Sequence, residues 1–173
     1  GKLAQARKRQ DALIDALRPM SDRVTLTLVG SADESIAGID VAHRDRLFEA
    51  AAQNEWITIL PDVRFADMPT LYASHHICVL PSEREPLGSA PLEAMAYGTI
   101  PVISQDAGSA GYIVPGENGL RVDMSAHRAL EAVMSRLVDD PALRVRLSGG
   151  ARRTAQTDLS PARFLQRIDA ILA

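Results

Sequence analysis

An α/β fold, a doubly wound parallel sheet with helices on both faces, is what this sequence predicts, on three observations. Short β-rich runs alternate with helix-compatible stretches along the chain, and parallel strands require crossover connections of that kind, right-handed as a rule. The β-rich runs are five to seven residues long, which suits buried strands. No repeat, low-complexity tract or linker breaks the order, so a single Rossmann-like domain over residues 1–173 is sufficient.

The elements follow in order. The chain opens on "GKL" and a basic stretch leading into a helix expected over 7–18. The first helix of such a fold should follow a strand, so a fragment of a longer chain, with its first strand truncated, is expected. "VTLTLVG" (24–30) is the first complete strand, and "SADESIAGID" (31–40), polar around Gly38, is the candidate mobile loop. A helix over 42–53, the strand "WITILP" (56–61), a helix over 67–75 and the strand "HICVLPS" (76–82) come next. A helix over 88–97, the strand "IPVIS" (100–104) and the weaker strand "GLRVD" (119–123) follow. Helices over 125–138, 141–157 and 160–172 close the chain. The last is amphipathic through Phe164, Leu165, Ile168, Ile171 and Leu172, able to cover the core or to reach another lobe. Its few arginines argue against direct membrane binding.

Composition excludes several classes of function. A chain of 173 residues buries about 70% of the surface its unfolded form exposes, enough for a full core. A net charge of -3 and 4% aromatic residues leave neither a global attraction for nucleic acid nor a base-stacking platform. No apolar run approaches the roughly 18 residues a membrane span needs, and no signal-peptide pattern opens the chain. The lone Cys78, inside "HICVLP", allows no internal disulfide and reads as a buried, inert thiol in a reducing, cytoplasmic setting.

In open parallel sheets ligands sit at the carboxyl ends of the strands, and there the stretch "EREPLGSAPLEAMAYG" (83–98) joins a strand to a helix. Pro86 biases Glu85 toward an extended backbone, and Gly88 lets a ligand approach the main chain. Ser89 is positioned to cap the helix, whose first turn accommodates Pro91. Amides of residues 87–90 would then face an anion. Glu93 flanks the same mouth one turn on, while Leu92, Met95 and Ala96 face the core. Two carboxylates bracketing such a pocket can accept hydrogen bonds from vicinal hydroxyls of a sugar or ribose. The helix macrodipole alone favours an acid at Glu93 by about 0.3–1 kcal/mol, so a structural role for it stays open. Glu83 and Glu85 have no further ligands clustered nearby, so no metal site is expected. Lys2, Arg7, Lys8 and Arg9 crowd the start of the first helix, where positive charge is disfavoured; a diphosphate would relieve them through charge-assisted hydrogen bonds.

The stretch "VLPSEREPLGSAPLEAMAYGTIPVIS" resembles the donor-binding lobe of retaining glycosyltransferases of family four, whose hallmark is two glutamates separated by seven residues, the spacing of Glu85 and Glu93. "GKLAQARKRQDALIDAL", "LTLVG", "ADMPTLYASHHICVLPS" and "VPGENGLRVD" extend the likeness in the right order across nearly the whole chain. The resemblance implies one of two Rossmann-like lobes, the C-terminal one, with the acceptor held by an N-terminal lobe that this chain lacks. It implies that Glu85 holds hydroxyls of the donor sugar and that Lys8 neutralises the diphosphate. It further implies that Pro86, Leu87, Gly88 and Ser89 meet sugar and diphosphate, and that Glu93 binds the ribose. Lys2 stands where the family usually has arginine, Gly30 beside the nucleotide, and Val63 near the base. Retention by a same-face displacement, with no metal and no other cofactor, follows from the same likeness.

Departures accompany it. Lys2 gives up a bidentate fork, the basic loop is one residue longer and leaves Arg7 or Lys8 as phosphate ligand, with Lys8 favoured, and "DAGSAGYIVPG" offers Gly111 or Tyr112 where a glutamate is common. His75 and His76 read as strand-edge residues without chemistry. The fragment alone is expected to bind nucleotide sugar without transfer, with a peripheral membrane contact left to the other lobe. A nucleotide-sugar epimerase lobe and a non-catalytic nucleotide-binding module are the alternatives.

Overall fold

The computed structural model describes residues 2–31 and 40–172; the expected loop over 32–39 lies outside the described residues. Strands β1 (Leu26–Gly30), β2 (Ile57–Pro61), β3 (Ile77–Leu80), β4 (Ile100–Ser104) and β5 (Leu120–Val122) alternate with α1 (Gln10–Leu17), α2 (Val41–Gln53), α3 (Met68–Ser74) and α4 (Ser89–Met95). Three helices, α5 (Ala129–Asp139), α6 (Pro141–Gln156) and α7 (Pro161–Leu172), complete the order. All strand pairs are parallel, with Leu26 opposite Ile57, Ile77 opposite Ile100 and Val102 opposite Leu120.

The single sheet expected from sequence is divided into two hydrogen-bonded groups, β1-β2 and β3-β4-β5. Lys2 pairs in parallel with Ser31 beyond the end of β1, so the opening residues continue the β1 side without spanning the division.

Local chemistry sets the helix ends. Asp40 accepts from the His43 amide at 2.8 Å and caps α2; Asp140 accepts from Leu143 at 2.8 Å and caps α6, with Pro141 in its first turn. The expected start of α5 at residue 125 is displaced to Ala129, because the Ser125 amide and hydroxyl both donate to the Asp123 carboxylate, at 2.9 and 2.6 Å, and hold a turn there. The first helix also starts later than expected. Residues 6–8 form a 3₁₀ turn, and Arg9 takes a left-handed conformation, φ 52°, before α1 begins at Gln10. The basic residues thus precede the helix rather than crowding its first turn.

The main core joins Leu13, Ile14 and Leu17 of α1 to Leu26 and Leu28 of β1, Val102 of β4 and Leu137, Leu143 and Leu147 of α5 and α6. A second cluster on Met95, Ile103, Ile113 and Ala151 covers the other side of β4. Consecutive residues of β4, Val102 and Ile103, are fully buried in different clusters, as a strand covered on both faces requires.

Candidate functional site

The loop from β3 to α4 carries the paired glutamates, and its backbone is strongly specified. Arg84 takes φ 49° and Gly88 φ 74°; a Cβ on Gly88 would lie 2.3 Å from Leu80 Cδ2, an atom a rotamer change can move, so it is the left-handed backbone that calls for glycine there. The loop is strapped to the following turn by Gly108 N–H donating to the Glu85 carbonyl at 3.0 Å and Ser109 N–H to that of Leu87 at 2.8 Å. A Cβ on Gly108 would fall 1.9 Å from the Pro86 carbonyl oxygen. That glycine is what allows the straps to form.

The basic turn docks on this loop. The Glu83 amide donates to the Arg7 carbonyl at 2.8 Å, and Arg9 Nη1 bonds Glu83 Oε1 at 2.7 Å. Lys8 Nζ lies 2.5 Å from Glu85 Oε2, with Arg7 Nη1 3.8 Å from the same oxygen. The Lys8 and Glu85 side chains are only 14% and 10% exposed, so this pair is partly desolvated. Burial pushes the Glu85 carboxyl upward, but the Lys8 hydrogen bond and charge, then Arg7, outweigh it and hold Glu85 below the usual range. Ser82, whose hydroxyl is buried without a partner at hydrogen-bond geometry among the described residues, lies close enough to Glu85 to act in the same direction.

Glu93 is held from two sides. Tyr72 Oη donates to Oε2 at 3.0 Å and Ser89 Oγ to Oε1 at 2.7 Å. Ser89 is the first residue of α4, behind Gly88 as N-cap, and makes no capping bond; its hydroxyl serves Glu93 instead, a correction to the expected cap. Of the residues expected to face the core, Met95 is buried, as is Ala94 beside it, and Leu92 is half-buried, but Ala96, the C-cap of α4, is exposed, a correction to the expected core face. Seven residues give α4 a weak dipole, so charged side chains carry the electrostatics here. Burial, then the Glu93 charge, raises the Tyr72 phenol and pushes the Cys78 thiol up to about 12. Cys78 is only partly covered by protein, yet that value leaves it protonated and un-nucleophilic at neutral pH.

One cavity of about 1220 Å³ joins these groups: Lys8, Gly30, Val63, Glu85, Leu87, Gly88, Ser89 and Glu93 all line it. Lys2 and Pro86 do not. The Lys2 carbonyl accepts from Gln10 Nε2 at 2.9 Å, and the Pro86 carbonyl turns toward Gly108. Tyr72, Gly108 and the Arg9–Glu83 pair were not legible as site residues. The partners are 21 residues apart for Tyr72 and Glu93 and 74 for Arg9 and Glu83, separations that leave no local pattern. His75 is held by the Leu71 carbonyl at 2.8 Å and Thr27 Oγ1 at 2.9 Å.

The family model for glycosyl transferases group 1 matches residues 2–154. The chain belongs to this family. A D-inositol 3-phosphate glycosyltransferase of Salinispora arenicola is 32% identical over 158 residues, covering 87% of this chain and 35% of that protein. The lipopolysaccharide core biosynthesis glycosyltransferase LpsE of Rhizobium meliloti is 31% identical over 152 residues, covering 86% of this chain and 41% of its own. Among solved structures, HepE of Anabaena in complex with UDP and glucose superposes with a TM-score of 0.84 at 24% identity, over 99% of this chain and 46% of that one. This group 1 glycosyltransferase chain therefore spans less than half the length of these relatives, and its fold is that of one Rossmann-like glycosyltransferase lobe. No helix among its described residues is long and apolar enough to cross a membrane.

Proposed function

We propose that this chain is the donor-binding lobe of a retaining glycosyltransferase that takes a nucleoside-diphosphate sugar as donor. The observation that carries the reading is the convergence of Lys8, Glu85 and Glu93 on one cavity beside the glycine-hinged loop. Lys8 spends one of its three donors on Glu85, leaving the others for a diphosphate, with Arg7 adding charge. Glu85, kept ionised, accepts from hydroxyls of the donor sugar. Glu93, its two oxygens oriented by Tyr72 and Ser89, accepts from a ribose. Gly30 and Val63, which line the same cavity, are assigned to the nucleotide in this reading.

In the reaction the bond from the anomeric carbon to the diphosphate breaks, and one from the acceptor oxygen forms on the same face. The acceptor proton passes to the departing diphosphate. The lobe supplies position and charge, and the cations present make a metal unnecessary. A separate N-terminal lobe holds the acceptor, so this chain alone binds nucleotide without transferring sugar. The reading includes a cytoplasmic setting, from the lone Cys78. Relatives support a nucleotide donor: HepE was solved with UDP and with UDP-glucose, and a plant starch synthase with ADP. Both sequence relatives named above are glycosyltransferases, so the epimerase alternative gains nothing.

Titration calorimetry with UDP, GDP and ADP and their glucose or mannose conjugates, with EDTA present, tests the reading. One nucleotide is expected to bind, and Lys8→Ala to weaken it about tenfold or more. Absence of heat for the whole panel at millimolar ligand would sink the assignment.

A further inference from the structure

Phe65 is a large apolar ring left almost wholly in solvent, 84% exposed, at the edge of the cavity that holds Lys8, Glu85 and Glu93. A lone exposed apolar side chain carries little meaning; the setting of this one does. Asp62, at φ 51°, turns the chain off the carboxyl end of β2, and its N–H donates to the Gly30 carbonyl of the neighbouring strand at 3.0 Å. The chain then makes a 3₁₀ turn, Phe65–Asp67, and runs into α3 with Pro69 in the first turn of that helix. Arg64 closes the turn with a two-pronged bond to Asp67, Nε to Oδ2 at 2.7 Å and Nη2 to Oδ1 at 3.0 Å. A clamped backbone therefore holds the ring out in water. The cavity it borders changes chemistry from one side to the other. Lys8, Glu85, Ser89 and Glu93 form a polar wall, whereas Val63, Phe65 and Met68 bring apolar side chains.

We propose that Phe65 is the platform on which the nucleobase of the donor stacks. The inference rests on the donor reading above, in which Lys8 meets the diphosphate and Glu93 the ribose. A ribose carries its diphosphate and its base on opposite ends of the ring, so a nucleotide anchored at Lys8 and Glu93 directs its base away from Lys8. Helix α3 leads from Glu93 to Phe65. Tyr72, which donates to Glu93, lies seven residues after Phe65, roughly 10 Å further along the helical turns. Arg64 and Asp67 are committed to each other, so what the turn offers a ligand is an aromatic face. Stacking suits that face, since it gains dispersion and removes the ring's apolar surface from water. The scarcity of aromatic residues rules out a platform for a nucleic-acid strand, but a mononucleotide needs one ring.

The test is titration calorimetry of the wild-type chain, Phe65→Ala and Phe65→Tyr with UDP, GDP, ADP and inorganic pyrophosphate. Because the ring is exposed, neither substitution disturbs the core, and thermal unfolding is expected to be unchanged. Phe65→Ala is expected to weaken the nucleotide that binds by about tenfold or more and to leave pyrophosphate affinity as it is. Phe65→Tyr, which keeps the aromatic face, is expected to retain wild-type affinity. Equal nucleotide affinity in wild type and Phe65→Ala overturns the proposal and leaves the donor reading standing. A loss in Phe65→Tyr as large as that in Phe65→Ala overturns it as well, as does a loss shared by pyrophosphate, which has no base to stack. Wild type that binds none of the four ligands overturns the donor reading, and the proposal with it.

Discussion

Lys8 and Glu85 form a pair in which each group sets the other's chemistry. Removing one partner of a desolvated pair leaves the other charge uncompensated. Because the folded pKa of Glu85 lies below its unfolded value near about 4.3, its ionisation stabilises the fold above that value. The contribution is lost as pH falls through the lower, folded pKa. Wild type is therefore expected to exceed Glu85→Gln in stability by a constant margin above about pH 5 and to lose that margin in acid, as urea unfolding at stepped pH would read. A margin unchanged down to about pH 2 would contradict the ion pair. At Gly108, a Cβ would meet the Pro86 carbonyl at 1.9 Å, and backbone cannot give as a flexible side chain can. Gly108→Ala is expected to displace the 85–88 loop and weaken nucleotide binding about tenfold or more, alongside a stability loss of about 1–3 kcal/mol. Calorimetry beside thermal unfolding would separate the two effects.

Among the elements, α6 links both clusters, Leu143 and Leu147 entering the main core and Ala151 the second. Gly150 lies between those contacts, and a Cβ there would be 1.9 Å from the Glu117 carbonyl oxygen. Helix propensity favours Ala over Gly by about 1 kcal/mol, whereas overpacking costs about 1–3 kcal/mol. The clash with backbone decides the sign: Gly150→Ala is expected to lower stability in denaturant titrations, and a gain would show that the 117–118 turn yields. Element type and order were legible because strand runs such as "IPVIS" are short and apolar and helix starts such as Asp140-Pro141 carry their own caps. Boundaries were less so. The Ser125–Asp123 bonds and the left-handed Arg9 depend on side-chain competition for the backbone, which apolar periodicity does not register. The C-terminal amphipathic helix is present as α7, with Leu165 and Ile168 exposed at 60% and 38%.

For the molecule as a whole, stability rests on the core that joins α1, α5 and α6 to the sheet. Leu147 is fully buried in it, so Leu147→Ala is expected to cost about 2–5 kcal/mol, measured by chemical unfolding. A cost under about 1 kcal/mol would show that the helices collapse around the void. The same core lines one side of the large cavity through Leu13, Leu17 and Leu137.

The sequence by itself determined the alternation of strands and helices, the family, and the two glutamates at the mouth of a strand-to-helix loop, since each is written in local spacing and hydrophobic period. Only the tertiary structure decided that Lys8 meets Glu85 across 77 residues, that Tyr72 and Ser89 orient Glu93, that Lys2 and Pro86 do not line the shared cavity, and that the sheet is divided. Those outcomes depend on which distant backbones come within hydrogen-bond reach, a property of packing in three dimensions that no run of neighbouring residues encodes.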